Sequence, residues 1–384
     1  MQSTFTFSRA FLSSDICDRW LVLLVFSLVV LGLLMVASAS IAVATHQFNQ
    51  PFHYFIRQFV YLVLGILIGS VIIQFSTDEM EKFSGALMGI TLILLGLVLL
   101  PGVGHVVNGS ARWLGVGPLM IQVSEIAKPV VVLYMAGYLV RHHLPVTTTL
   151  EGFLKPMGIL GVVVVLLLKE PDFGSTVVML VTVLGMMFLA GMRLRYFLLL
   201  VLAVTFSLLV LAVAVPYRLA RLTAFINPWA TPYGNGYQLT QSLIAFGRGG
   251  WFGTGLGNSI QKLFYLPEAH TDFLFAVIAE ELGFAGILLV TLLFMFLVFR
   301  IFLIARRAQQ LRRYFAGLSA YGLGFWIAIQ FVVSIGVNCG ILPTKGLTLP
   351  LVSYGGSSML ANCIGIALLL RIDYESRQQM GGFR

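Results

Sequence analysis

Residues 20–44 read WLVLLVFSLVVLGLLMVASASIAVA, a stretch without one charged side chain. A helix needs about 20 apolar residues to cross a bilayer, and it satisfies every backbone N–H and C=O internally, as a lipid environment requires. The stretch is too long for the ~7–15-residue apolar core of a secretory leader, so the small-residue string ASASIA at 37–42 reads as part of an uncleaved anchor. The N-terminus is then expected on the cytoplasmic side.

Similar segments recur at about 55–75, 84–100, 124–140, 156–169, 174–191, 196–216, 272–303, 316–341 and 352–370. With 59% hydrophobic and 10% charged residues and a mean hydropathy of +0.95, the composition excludes a soluble globular domain. The expected fold class is all-α: a polytopic integral membrane protein of ten transmembrane helices, one membrane domain over residues 1–384. Basic residues flank the spans. Placing both termini, 1–19 and 372–384, in the cytoplasm puts Arg300, Arg306, Arg307, Arg312, Arg313, Arg371 and Arg377 inside, while the short outer connections keep Arg112, Lys169 and Lys345. The net charge of +9 is thus a topology signal, and no nucleic-acid partner is implied. Cys17, Cys339 and Cys363 fit neither a disulfide framework nor a metal site and read as packing residues.

One outer connection is long. Residues 217–271, between helices 7 and 8, combine the glycine-rich strings PYGNG and GTGLG with Trp229, Tyr237, Trp251 and Phe264. Such a loop is functional or disordered, and its aromatics favour order, as short helices on the outer membrane surface.

Ionisable residues in or beside spans are costly and so mark candidate functional positions. SEIAK at 124–128 places Glu125 and Lys128 one helical turn apart; LLLKEPDFGS carries Lys169, Glu170 and Asp172. The stretch FYLPEAHTDFLFAVIAEELGF at 264–284 holds Glu268, Asp272, Glu280 and Glu281. Helical spacing separates Glu280 from Glu281, so these are read as intramembrane partners or anchors, and Asp272 as the accessible acid. Helix parity brings Glu125, Lys128, Asp172, Asp272, Lys345, Arg218, Arg221 and Arg248 to one membrane face. Asp272 could simply cap the following helix, and Lys128 could simply pair with Glu125. A carboxylate among cations beside an ordered aromatic loop suits an anionic, lipid-linked substrate.

Five strings together, GSARWLGVG with SEIAK, EPDFGST, NPWATPYGNGYQLTQSLIAFGRGG, LGNSIQKLFYLPEAHTDFLFAVIAEELGF and LPTKGLTLPLVSYGGSS, resemble the SEDS family (shape, elongation, division and sporulation). They span most of residues 108–358, and PEAHTD and Lys345 resemble its cell-division branch more than its elongation branch. The resemblance implies a peptidoglycan glycosyltransferase of the bacterial cytoplasmic (inner) membrane. It would polymerise lipid II into β-1,4 strands at the septum, with a class B penicillin-binding protein and other divisome membrane proteins as partners. It also implies Asp272 as the catalytic base and Lys128 as the lysine facing it. Arg218, Arg221 and Lys345 become candidate pyrophosphate contacts, with Glu125, Asp172 and Arg248 as further substrate-binding candidates. No cofactor is certain, no metal ligands are assigned, and there is room for a divalent cation, Mg or Mn, at the pyrophosphate. Val123 and Phe264 depart from the family pattern, where Pro and Glu are usual.

Two other classes fit part of the pattern. A lipid flippase would also need many spans and an intramembrane Glu125/Lys128 pair. A non-catalytic division scaffold would tolerate replacement of Asp272. If a partner gates the long loop, its hinges are expected at Gly234/Gly236 and Gly253/Gly255/Gly257.

Overall fold

The computed structural model describes residues 18–107, 110–116, 119–213, 223–344 and 346–381. Each expected apolar segment is a helix: α1 (Arg19–Phe48), α2 (His53–Ile72), α3 (Thr77–Val98), α4 (Val123–Arg141), α6 (Leu150–Lys169), α7 (Phe173–Leu189), α8 (Leu194–Val213), α10 (Leu274–Gln310), α11 (Tyr314–Asn338) and α12 (Gly356–Gly381). A short α5 (His143–Thr148) and a loop helix α9 (Tyr237–Gly249) lie between these spans, with briefer helical turns in the long loop. Seven of these, α1 to α4 and α10 to α12, are long and apolar enough to cross a membrane. The chain is a multi-pass membrane protein.

Local signals set the helix starts. Asp18 caps α1 by accepting from Leu21 N at 3.0 Å. Ser76 and Glu79 form a reciprocal capping box at the start of α3. Thr149 caps α6, and Asp172 caps α7.

Between α3 and α4 the chain adds an antiparallel three-stranded sheet, β1 (His105–Val107), β2 (Ser110–Val116) and β3 (Leu119–Gln122), ordered β1-β2-β3. The connection had carried no strand expectation. Its strands are too short to show clear alternation, so they were invisible to hydropathy.

Helices α4, α11 and α12 form the interior. Along α4, Val123, Ser124, Glu125, Ala127, Lys128 and most residues on to Leu139 are buried. In α2, by contrast, Ile56, Phe59, Ile66, Leu67 and Val71 are exposed, as suits a lipid-facing surface. The start of α1, the ends of α10 and α12 and the start of α3 meet at one end of the bundle. There Asp18 pairs with Arg300 and Arg377, Asp373 with Arg307 and Arg377, and Glu375 with Arg313 and Arg371. The starts of α4, α7, α10 and α12 gather at the other end.

Helix α10 is two helices in one. Gly283, at φ 66° and ψ −161°, breaks the helical path, leaving a buried leading segment of residues 274–282 ahead of the long remainder. The loop after α9 repairs the break: Thr254 N and Gly255 N donate to the carbonyls of Glu280 and Glu281, and Phe284 N and Ala285 N donate to those of Gly250 and Trp251. Backbone runs against backbone here. A Cβ on Gly249 would collide with Ala279 O, and one on Gly253 with Glu281 O.

Candidate active site

Asp272 lies in the turn of residues 267–273, immediately before the leading segment of α10. The N-cap of that helix is Phe273, which makes no side-chain cap bond. Asp272 thus stands one residue ahead of the N-cap position. Its Oδ2 is 3.0 Å from where a Cβ on Gly346 would stand, so a glycine there lets the loop before α12 approach the carboxylate. The residue is partly exposed at the site end of the bundle.

The same loop leads to Lys128. Gln330, buried on α11, donates from Nε2 to Thr348 O at 2.9 Å, and its Oε1 accepts from Lys128 Nζ at 3.2 Å and Trp326 Nε1 at 2.8 Å. Lys128 Nζ also donates to Glu125 Oε1 at 2.6 Å. Both side chains are almost wholly buried, so the pair is protected from solvent screening. Glu125 Oε2 has no hydrogen-bond partner among the described residues. The local ion pair expected from one-turn spacing is thus present, and Gln330 and Thr348 link it to the loop that touches Asp272.

Asp172 is placed otherwise than as an open ligand. Its Oδ1 accepts from Ser175 N at 3.1 Å, while Oδ2 accepts from Ser124 Oγ at 2.7 Å and Gln122 Nε2 at 3.3 Å. It ties the start of α7 to the start of α4. Arg248 stands 3.4 Å from Glu280 Oε1 and is partly exposed. Arg218, Arg221 and Lys345 lie outside the described residues.

Glu280 and Glu281 are anchors, as their spacing suggested. Glu280 accepts from Ser259 Oγ at 2.5 Å and from the backbone N–H groups of Ile260 and Gln261. Glu281 pairs with Lys262 Nζ at 2.7 Å and accepts from Ser38 Oγ of α1 at 2.8 Å. The loop expected to form short helices does so in α9 and a helical turn at Pro228–Ala230. Of the glycines named as hinges, Gly253 is locked against α10 and a Cβ on Gly236 would press on Pro228 O at 2.5 Å, whereas Gly234 and Gly257 meet no such contact.

Several site residues escaped the sequence reading. Arg57 hydrogen-bonds the side chain of Tyr354, whose phenol is pushed up by burial and pulled down by the guanidinium. Gln58 grips the same loop, donating to Ser353 O and accepting from Gly355 N, both at 3.1 Å. Tyr354 N donates to His270 O at 3.0 Å, two residues before Asp272. Burial holds His270 below its ordinary imidazole value, with Glu268 opposing. Arg57 was readable as a cation inside an apolar segment. Gln58, Gln330 and Asn338 are uncharged, and a search confined to ionisable groups passes over them.

The family described as cell cycle protein, comprising FtsW, RodA and SpoVE, matches residues 19–378. The chain belongs to this family. It is 58% identical over 367 residues to the probable peptidoglycan glycosyltransferase FtsW of Legionella pneumophila, covering 96% of this chain and 93% of that one. Identity to the protein of the same description from Coxiella burnetii is 54% over 359 residues, covering 94% and 96%. Among solved structures, a chain from a peptidoglycan synthase complex that coordinates polymerization and crosslinking superposes with TM-score 0.78 at 30% identity, over 94% of this chain and 98% of that one. The rod shape determining protein RodA of Thermus thermophilus gives 0.68 at 31%, over 93% and 96%.

Proposed function

We propose that this chain is a peptidoglycan glycosyltransferase that polymerises lipid II at the outer face of the bacterial cytoplasmic membrane during septal wall synthesis, with both its termini in the cytoplasm. The observation that carries the reading is the Asp272 carboxylate. It sits just before a buried half-helix and faces a glycine in the loop that Gln330 joins to Lys128.

The reaction asks for a base and for cations. A sugar 4-hydroxyl attacks the anomeric carbon of a second lipid II. The new carbon–oxygen bond forms as the bond to undecaprenyl pyrophosphate breaks, the pyrophosphate leaves with the electron pair, and Asp272 takes the hydroxyl proton. One displacement inverts the α-linked donor to a β-1,4 product, and the leaving group needs no proton. Lys128, held by Glu125 and Gln330, supplies positive charge on the loop side of the site; Arg218, Arg221 and Lys345 are the remaining cations for the pyrophosphate. Asp172 and Arg248 support the scaffold through the contacts described above. Among the described residues no three His, Cys, Asp or Glu side chains converge as metal ligands. A Mg or Mn ion would therefore draw on the substrate's phosphates and few protein groups, and no step above depends on it.

A crosslinking partner is part of the proposal, a class B penicillin-binding protein, with other divisome membrane proteins around it. The similar synthase complex, which couples polymerization to crosslinking, supports this pairing.

Asp272→Asn keeps the size of the side chain and removes its basicity. In bilayers containing purified lipid II and the partner, it is expected to lower polymerisation at least ~100-fold, the range of a lost general base, with folding and partner binding unchanged. Near-wild-type polymer from the folded variant refutes the assignment and favours a scaffold; lipid II movement across the bilayer without polymer favours a flippase.

A further inference from the structure

Asn338, the last residue of α11, is fully buried, and two of the three hydrogen bonds of its carboxamide reach the start of the half-helix that follows Asp272. Nδ2 donates to Asp272 O at 2.9 Å and to Ser334 O at 2.8 Å, and Oδ1 accepts from Ala276 N at 3.1 Å. The amide's orientation is fixed by this pattern, because two carbonyls face one end and an N–H faces the other.

Asp272 O and Ala276 N are the pair that would bond directly if the helix began one residue earlier. The carboxamide is inserted between them. It bridges the Asp272 carbonyl and the first-turn Ala276 N–H, which also donates to Phe273 O at 3.0 Å, and so ties Asp272 to the start of the helix. Asn338 is itself held from outside: its backbone carbonyl accepts from Ser242 Oγ of α9 at 2.7 Å. The long loop, α11 and the start of α10 therefore meet at one residue.

We infer that Asn338 is a positioning residue for the glycosyl transfer, fixing the backbone of Asp272 so that its carboxylate faces the loop at Gly346. The inference rests on the reading of Asp272 as the base. Since Asn338 makes no substrate contact in this account, its loss should act on turnover and on the titration of Asp272 and spare substrate affinity.

The test uses the full chain with its crosslinking partner in bilayers, polymerising lipid II. Asn338→Leu keeps the volume and removes all three bonds; kcat should fall at least ~10-fold with KM for lipid II changed less than ~3-fold. Asn338→Asp keeps an acceptor for Ala276 N but places a second carboxylate beside Asp272. The acid limb of its pH–rate profile should move to higher pH, because a like charge disfavours the ionised base. A merely structural role would lower thermal stability and leave kcat per folded molecule unchanged. Folded Asn338→Asp enzyme with wild-type kcat and an unmoved acid limb overturns the inference, even if Asn338→Leu fails to fold. Asp272→Asn distinguishes the two levels: an active Asn enzyme overturns the base reading itself, whereas an inactive one beside an unmoved Asn338→Asp profile overturns the positioning role alone.

Discussion

At the scale of single residues, the carboxylates near the site divide by what their oxygens meet. Asp172, Glu280 and Glu281 are each bound by several donors, whereas both side-chain oxygens of buried Glu170 have no hydrogen-bond partner among the described residues. Burial, with the charge of Asp172, pushes Glu170 from its ordinary 4.5 up to about 8, against the pull of Arg112. The folded chain thus keeps a proton on Glu170 between about 4.5 and about 8, where the unfolded chain has released it. The sign follows: the stability Glu170 contributes is complete below its unfolded value and is lost as pH rises through its folded one. Thermal unfolding of the purified protein should show Tm falling from about pH 4.5 to about pH 8, and Glu170→Gln should flatten that fall and be the more stable at the alkaline end. Parallel curves for the two proteins would show that Glu170 is not the titrating group. At this scale the sequence was legible where charge breaks an apolar run, as at Glu125, Lys128 and Asp272. It was silent at Asn338 and Gln330, whose importance comes from partners on distant elements.

At the scale of elements, the broken α10 changes the meaning of the loop glycines. Left-handed backbone suggests freedom, yet Gly253, at φ 79°, is pinned by Glu281 O and Gly283 N, whereas Gly257, at φ 85°, has nothing within 4 Å of its would-be Cβ. An alanine at either position carries the strain of left-handed backbone, about 1–2 kcal/mol. Only Gly253→Ala must also push apart two backbones. It should therefore release the repair of the break, raising amide hydrogen exchange at Thr254, Gly255, Phe284 and Ala285 at least ~10-fold, a change of about 1.4 kcal/mol in local opening. Gly257→Ala should leave those four amides at their wild-type rates. Equal exchange in the two variants would return Gly253 to the role of a hinge. Hydropathy read residues 272–303 as one span because Gly283 is flanked by apolar residues. A glycine inside a helical pattern is usually tolerated, and only the docked backbone of residues 250–255 shows that this one is a break.

The whole molecule separates two tasks by distance along the bundle. The ten apolar segments and the one-face convergence of Glu125, Lys128 and Asp272 were legible because membrane crossing imposes length and parity on a chain. The short sheet was not, since three short strands carry no comparable constraint, and the ion-pair network at the far end was read only as flanking charge. That network has its own physics. Asp373 is fully buried and bound by Arg307 Nη1 and Arg377 Nε, each at 2.6 Å, which joins α10 to α12 away from Asp272. Asp373→Asn takes the carboxylate from Arg307 and leaves Arg377 with Asp18 at 3.4 Å. Breaking a wholly buried pair costs about 3–5 kcal/mol; because both arginines keep roughly a quarter of their side chains exposed, water repays part of this and about 2–3 kcal/mol is expected. Thermal unfolding should shift down accordingly. The kcat per folded molecule should stay within ~2-fold of wild type, because no link in the Asp272, Gly346, Thr348, Gln330 and Lys128 series passes through that end. If Asp373→Asn lowers kcat as strongly as it lowers Tm, the two ends are mechanically coupled and the bundle works as one lever between them.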